Sequence, residues 1–273
     1  MLRSLSISEG VSKHDVHPVT LVTILPKSWT DQAIVLRTYN VGETDRFCLL
    51  LTEHHGRIAA RANGVRRLLS RRGSGLLPLH HVNVVCETHS FGFSIASAHA
   101  VHTHASAWQQ PYAFSCAQQG IELLLHLTEE GLPIPQVFHL TCEFIAACSL
   151  SSSAALPPVF TLKLLTMLGL CPSLLHSCTD HRLLRSSESV VFSRQHGGLV
   201  CMADDPAGLR LSSAVIDFFK TVDTLPLAEL SMAATPLLPE LTAFVHCLTG
   251  SQLGLSLRAS DVSLAMSSGV TPT

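Results

Sequence analysis

The first hundred residues contain five short runs in which apolar and β-branched residues predominate. Glycines and other turn-forming residues separate these runs, a pattern typical of β-strands joined by tight turns. The predicted strands cover residues 32–39, 47–52, 57–62, 82–88 and 93–98. Five strands at this spacing predict a small barrel of the OB type, because that barrel is built from five strands.

From about Ser106 onward, the apolar residues recur at the spacing of amphipathic helices. The predicted helices cover residues 112–128, 137–150, 159–170 and 238–248, and a further helix is capped by Ser212 or Ser213. The pattern therefore predicts an α+β fold, in which a five-stranded OB-type β-barrel is followed by an α-helical domain. The expected boundaries are an N-terminal extension at 1–28, the barrel at 29–104, the helical domain at 105–262 with a loop insertion at 171–210, and a flexible tail at 263–273.

Composition narrows the class of protein. Hydrophobic residues make up 47% of the 273 residues and charged residues 14%, so a folded core is expected rather than disorder. The mean hydropathy of +0.34 raises the question of a membrane span. No run of about 18 apolar residues is present, since serines and prolines interrupt the most apolar stretch at 144–162. We expect a cytoplasmic protein without membrane contact.

Positive charge is concentrated in one part of the chain. Between His54 and Cys86 there are six arginines and no acidic residue, although the whole chain carries a net charge of −2, so the remainder sums to −8. The six are Arg57, Arg61, Arg66, Arg67, Arg71 and Arg72. We call residues 57–72 the basic segment. Strand periodicity places Arg57 and Arg61 together on one face, with Ile58 on the other. A basic patch on an acidic body favours binding to nucleic acid through phosphates.

Aromatic side chains, which stack on the bases of single-stranded nucleic acid, are scarce at 5% of the chain. The aromatic residues nearest to the arginines are Tyr39, Phe47, Phe91 and Phe93, and we expect a core position for all four. Affinity should then depend on phosphate contacts, tolerate any sequence and fall steeply with salt.

An ordered series of short motifs runs through the predicted barrel and helices. The barrel part contains Gly42-Glu43-Thr44-Asp45, His55-Gly56-Arg57-Ile58, Gly64-Val65-Arg66-Arg67, Ser70 and Leu77-Pro78-Leu79. The helical part contains Glu130-Gly131-Leu132-Pro133, Phe160-Thr161-Leu162-Lys163, Pro172-Ser173-Leu174 and Gly197-Gly198-Leu199-Val200. Together they resemble the RecO family of recombination mediators over roughly residues 30 to 260. Two positions depart from the family pattern, Asn63 in place of lysine and Leu79 in place of phenylalanine.

The resemblance implies a function in DNA repair and homologous recombination. Family members bind single-stranded and duplex DNA, anneal strands and assist RecA loading together with RecR. The resemblance also implies the C-terminal tail of single-stranded-DNA-binding protein as a partner, and a cytoplasmic, nucleoid-associated location. The surfaces for these protein partners are not assigned. The alternative is a RecR-docking or other interaction scaffold of the same fold that has lost DNA binding, which Asn63 makes credible.

The resemblance also implies a zinc loop, in which the family commonly has two C-x-x-C pairs. This chain has Cys178 and His181 in the first pair and Cys201 and Asp204 in the second, and zinc accepts all three residue types. The insertion at 171–210 is therefore expected to resemble a zinc ribbon, with strands at residues 190–192 and 199–200 bringing Cys201 toward Cys178. The alternative is a lapsed site, whose loop is held by packing alone.

An enzyme is not expected. The chain lacks the phosphate-binding motif G-x-x-x-x-G-K-[ST], the nucleophile motif G-x-S-x-G, the metalloprotease motif H-E-x-x-H and the dinucleotide motif G-x-G-x-x-G. The sequence therefore indicates no catalytic residue.

Overall fold

The barrel strands alternate between buried and exposed residues, because successive side chains of a strand point to opposite faces. In a computed structural model, which describes residues 27–66, 75–90, 92–151, 153–185, 187–252 and 254, five strands form a closed barrel. They are β1 (Ser28–Val41), β2 (Asp45–Thr52), β3 (Gly56–Ala62), β4 (His81–His89) and β5 (Gly92–His102).

The strand order around the barrel is β1-β2-β3-β5-β4, and β4 pairs with β1 to close it. Neighbouring strands are antiparallel except for β3 and β5, which are parallel at Ala60 and Phe93. The predicted OB-type barrel is thereby confirmed. Small and apolar side chains such as Val35, Leu50 and Ile58 fill its interior.

The first two strands are buried on both faces along part of their length. Ala33 and Val35 point into the barrel, whereas Ile34 and Leu36 pack against the helical part of the chain. On β2, Leu50 belongs to the barrel interior and Leu51 to the helical core. One sheet therefore separates two hydrophobic cores.

Helices follow the barrel directly, and only Thr103 and His104 separate the first helix from the end of β5. The helices are α1 (Ala105–Gln109), α2 (Pro111–Leu127), α3 (Pro135–Leu150), α4 (Leu156–Met167), α5 (Ser213–Phe219), α6 (Leu227–Ala234) and α7 (Leu238–Gln252), with a 3₁₀ turn at Thr235–Leu237. Proline occupies the first turn of α2, α3 and α4, where its missing N–H costs no hydrogen bond. None of the described helices has the length and apolar character needed to cross a bilayer.

A small sheet lies between α4 and α5. Its strands are β6 (Val190–Ser193), β7 (Gly198–Cys201) and β8 (Leu209–Leu211), in the order β7-β6-β8. Phe192 and Leu199 on this sheet belong to the same core as Phe244 of α7. The sheet is thus an integral layer of the helical part.

Candidate nucleic-acid interface

One row of side chains on the outer barrel face combines two aromatic rings with a cation. Tyr39 on β1 pairs with Phe47 on β2, and Phe47 pairs with Arg61 on β3, so all three point to the same face. Tyr39 is 49% exposed, Phe47 is half-buried and Arg61 is exposed. We call Tyr39, Phe47 and Arg61 the outer row.

Among the described residues, the helical part covers only the other end of this face and leaves the outer row uncovered. The next residue of β2 on this face, Leu49, packs against the helical core, and Leu51 beyond it is buried in that core. The face is therefore open only near the turn at Gly42 to Thr44 that joins β1 to β2. In OB-folds the face of strands 2 and 3 and the loop between strands 1 and 2 bind oligonucleotides.

A core position had been expected for the aromatic residues, and for Tyr39 that expectation is wrong. Phe47 also lies outside both hydrophobic cores. For Phe93 the expectation of a core position is met, because its ring packs edge-on against Trp29 in the barrel core, at 5.8 Å between ring centroids. Phe91 lies outside the described residues. The outer row therefore offers two rings on which bases can stack, a feature that the sequence analysis missed.

Arg61 is held in place by an acidic neighbour. Its Nη2 and Nε donate to Asp45 Oδ2 at 2.7 and 3.1 Å. The other carboxylate oxygen of Asp45 accepts the backbone N–H of Gly64 at 2.8 Å. The Gly64 N–H and the Arg61 guanidinium together lower the pKa of Asp45 to about 2. Asp45 thus orients Arg61 and cancels part of its charge.

Arg66, the last described residue of the basic segment, is tied to the turn between β1 and β2. The backbone N–H of Arg66 donates to the carbonyl of Thr44 at 2.9 Å, and its Nη1 donates to the carbonyl of Gly42 at 3.0 Å. Because carbonyl acceptors carry no net charge, the exposed Arg66 keeps its full positive charge beside the outer row.

Arg57 differs from its neighbours in the basic segment. It lies on the outer face as predicted, but it is half-buried, and its buried Nε has no hydrogen-bond partner among the described residues. Its carbonyl accepts the Gly131 N–H at 2.9 Å where the barrel meets the loop before α3. Arg57 therefore lies at the junction of barrel and helices. Arg67, Arg71 and Arg72 lie outside the described residues, so their part in DNA binding stays a prediction.

Comparison with known proteins places the whole described architecture in one family. Residues 27–103 match the family model described as Recombination protein O N terminal, and residues 109–261 match the one described as Recombination protein O C terminal. The chain belongs to the RecO family. It is therefore a DNA repair protein of that family, and the outer row lies within the part that matches the N-terminal RecO model.

Curated relatives named DNA repair protein RecO agree with this assignment. The protein of Myxococcus xanthus is 29% identical over 250 residues, which cover 85% of this chain and 96% of the relative. That of Bifidobacterium animalis subsp. lactis is 29% identical over 213 residues, covering 76% and 87%. That of Bifidobacterium longum is 30% identical over 187 residues, covering 67% and 76%. The similarity thus spans both parts of the RecO architecture.

The hairpin predicted for the zinc loop is confirmed. Val191 pairs with Val200 and Phe192 with Leu199, so β6 and β7 run antiparallel across the intervening turn. The backbone N–H of Cys178 donates to the carbonyl of Leu199 at 2.9 Å, which brings this cysteine to the hairpin.

The four predicted zinc ligands do not converge as a zinc site requires. Among the described residues, only Asp31, Glu53 and His54 bring three possible ligand atoms within 4.8 Å of one another. Cys201 Sγ instead lies 2.6 Å from Nη2 of Arg182, and Asp204 Oδ2 accepts the hydroxyl of Thr179 at 3.3 Å. The Arg182 guanidinium thus contacts a sulfur that a zinc ion would bind. Zinc binding by Cys178, His181, Cys201 and Asp204 is not confirmed and stays a prediction.

Proposed function

We propose that this RecO family protein is a non-enzymatic recombination mediator that binds single-stranded DNA on the outer row and the adjoining basic segment. In this function it also binds duplex DNA, anneals strands and assists RecA loading together with RecR, with the C-terminal tail of single-stranded-DNA-binding protein as a further partner. Family membership supports the proposed protein partners, and the side chains on the barrel surface support the proposed binding of DNA.

The observation that carries the proposal is the juxtaposition of exposed rings and cations at the open end of the barrel face. Tyr39 and Phe47 lie in register with Arg61, and Arg66 lies at the adjoining turn. Single strands are bound by a cationic groove that follows the backbone and by aromatic rings that stack on the bases. Duplex DNA keeps its bases stacked inside, so the rings favour single strands.

Replacement of Tyr39 tests the stacking contribution. Tyr39→Ala should weaken binding of an unstructured oligonucleotide by about 5- to 150-fold, because one base stack contributes about 1–3 kcal/mol. Tyr39→Phe keeps the ring and should bind like the original protein. Fluorescence anisotropy at constant salt measures both. Equal affinities for the alanine and phenylalanine variants would mean that no base stacks on this ring.

A second candidate is the RecR-docking scaffold that has lost DNA binding. Two observations favour it: Arg61 is paired with Asp45, and Asn63 stands where the family pattern has lysine. The two functions differ in one measurable property. The mediator binds oligonucleotides with an affinity that falls as salt rises, whereas the scaffold binds RecR and shows no salt-dependent oligonucleotide binding.

A further inference from the structure

A network of carboxylates and imidazoles lies at the other end of the β2–β3 hairpin. Asp31 on β1 is buried, with 1% of its side chain exposed, while Glu53 and His54 belong to the turn between β2 and β3. His54 Nδ1 lies 3.0 Å from Asp31 Oδ1 and 3.9 Å from Glu53 Oε2. With 66% of its side chain exposed, His54 leaves the group open to solvent on one side.

These separations are close to those of the ligands around one small metal ion. Zinc binds imidazole nitrogen and carboxylate oxygen at about 2.0–2.2 Å, so tetrahedral ligand atoms lie about 3.3 Å apart. The three atoms here all lie within 4.8 Å of one another. We propose that Asp31, Glu53 and His54 bind one divalent transition-metal ion, with water in the remaining coordination position.

The carboxylates are oriented by further hydrogen-bond partners, as metal-binding carboxylates usually are. Asp31 Oδ2 lies 2.7 Å from Nδ1 of His55 and accepts the backbone N–H of His54 at 2.9 Å. Glu53 Oε1 lies 3.1 Å from Nε2 of His139 on α3. These partners hold the second oxygen of each carboxylate, so Asp31 Oδ1 and Glu53 Oε2 are the ones turned toward His54.

Gln32 also contacts the two oxygens that would bind the ion. Its backbone N–H donates to Asp31 Oδ1 at 2.8 Å, and its side-chain amide donates to Glu53 Oε2 at 3.3 Å. A carboxylate oxygen has more than one acceptor direction, so it can accept a hydrogen bond and bind a metal at the same time. The ion would lie between His54 Nδ1 and Asp31 Oδ1 and would replace the hydrogen bond that joins these two atoms.

One imidazole and two carboxylates define the class of ion. Oxygen and nitrogen donors suit Zn²⁺, Co²⁺ and Mn²⁺, whereas Cu⁺ prefers sulfur. The site is separate from the outer row, since the six residues of extended chain from Phe47 to Glu53 span about 20 Å. An ion here would join β1 and the β2–β3 turn to α3 through Glu53 and His139, so its effect is on the stability of the junction.

Titration of the full-length, metal-stripped protein with Co²⁺ tests the site, because the visible spectrum of Co²⁺ reports its ligands. The original protein and the control His99→Ala, which removes an exposed imidazole of β5, should bind one equivalent without thiolate charge-transfer absorption. His54→Ala should lose that equivalent. His139→Ala should weaken binding by about 10- to 100-fold, the usual effect of removing an outer partner.

Two outcomes would overturn the proposal. One is that His54→Ala binds Co²⁺ as tightly as His99→Ala does. The other is a single bound equivalent whose spectrum shows thiolate ligands, which would assign it to cysteines instead. Thermal unfolding with a chelator present keeps the comparison valid, because it shows whether His54→Ala is folded without metal. A Co²⁺-dependent rise in melting temperature that is absent from His54→Ala would support the site.

Discussion

At the scale of single residues, the Asp45 carboxylate limits the positive charge of the outer row. Its lowered pKa, about 2, means that it stays ionised at every pH where DNA binding is measured. Asp45→Asn keeps an oxygen for the Gly64 N–H but frees the Arg61 guanidinium from its ion pair. We expect tighter binding of single-stranded DNA, with a log K against log salt slope steeper by up to about 0.7.

The measurement is the salt dependence of oligonucleotide affinity for the original protein and for Asp45→Asn. The gain in affinity should be the same from about pH 5 to about pH 8, because the Asp45 carboxylate does not titrate in that range. Asp45→Glu, which retains the charge, is the control and should show no gain. Weaker binding by Asp45→Asn would show that the carboxylate is needed to orient Arg61 for DNA.

A single residue also explains why the exposed ring was not found in the sequence. Strict alternation along β1 would place Val35, Arg37 and Tyr39 on one face, and Val35 is inside the barrel. A bulge between Val35 and Arg37 shifts the register, so Tyr39 emerges on the outer face opposite Phe47. No turn residue or proline marks this bulge, because Leu36 at the bulge is an ordinary strand residue. Period-two reasoning therefore assigns Tyr39 to the wrong side.

At the scale of elements, α2 and α3 approach closely at a residue without a side chain. A methyl group added to Gly120 in α2 would overlap the ring of Phe144 in α3, which stacks on Phe160 of α4 at 4.1 Å between centroids. Gly120→Ala gains about 1 kcal/mol of helix propensity, but overpacking costs about 1–3 kcal/mol. We expect a net loss of up to about 2 kcal/mol in the free energy of unfolding.

Urea denaturation followed by circular dichroism measures this loss. Gly250→Ala in α7 is the matched control, because nothing lies within 4 Å of the added methyl group. The control should gain up to about 1 kcal/mol. If Gly120→Ala proves more stable than the original protein, α2, α3 and α4 can move apart without a loss of folding free energy.

The helices were predictable where the apolar pattern is long. The expected helix at 112–128 is α2 (Pro111–Leu127), and Ser212 caps α5 by accepting the Val215 N–H. The eight-residue α6 was missed, although Leu227, Leu230 and Ala234 lie on one buried side. Its small residues and its position directly after Pro226 make that periodicity weak in a single sequence. Short elements such as α6 and β8 depend on tertiary packing for their stability.

At the scale of the whole molecule, the uneven distribution of charge indicated the part for which we propose DNA binding, but the sequence could not show which arginines remain accessible. Arg57 and Arg61 lie four residues apart on the same face, yet the loop before α3 covers only Arg57. That difference depends on how the helical part docks, which no local pattern reveals. The zinc loop shows the same limit: the predicted hairpin is present, whereas the contact between Arg182 and Cys201 could not be predicted from the sequence.

The salt dependence of single-stranded DNA binding by three proteins tests the central claim most directly. They are the original chain, the triple variant Arg66→Ala, Arg67→Ala and Arg71→Ala, and a control with Arg185→Ala, Arg194→Ala and Arg210→Ala that removes equal charge from exposed positions of the helical part. The basic-segment variant should bind more weakly, with a slope of log K against log salt lower by up to about 2, at about 0.7 per phosphate contact. The control should keep the original slope. Equal slopes in all three proteins, or a loss confined to the control, would contradict DNA binding at this end of the barrel.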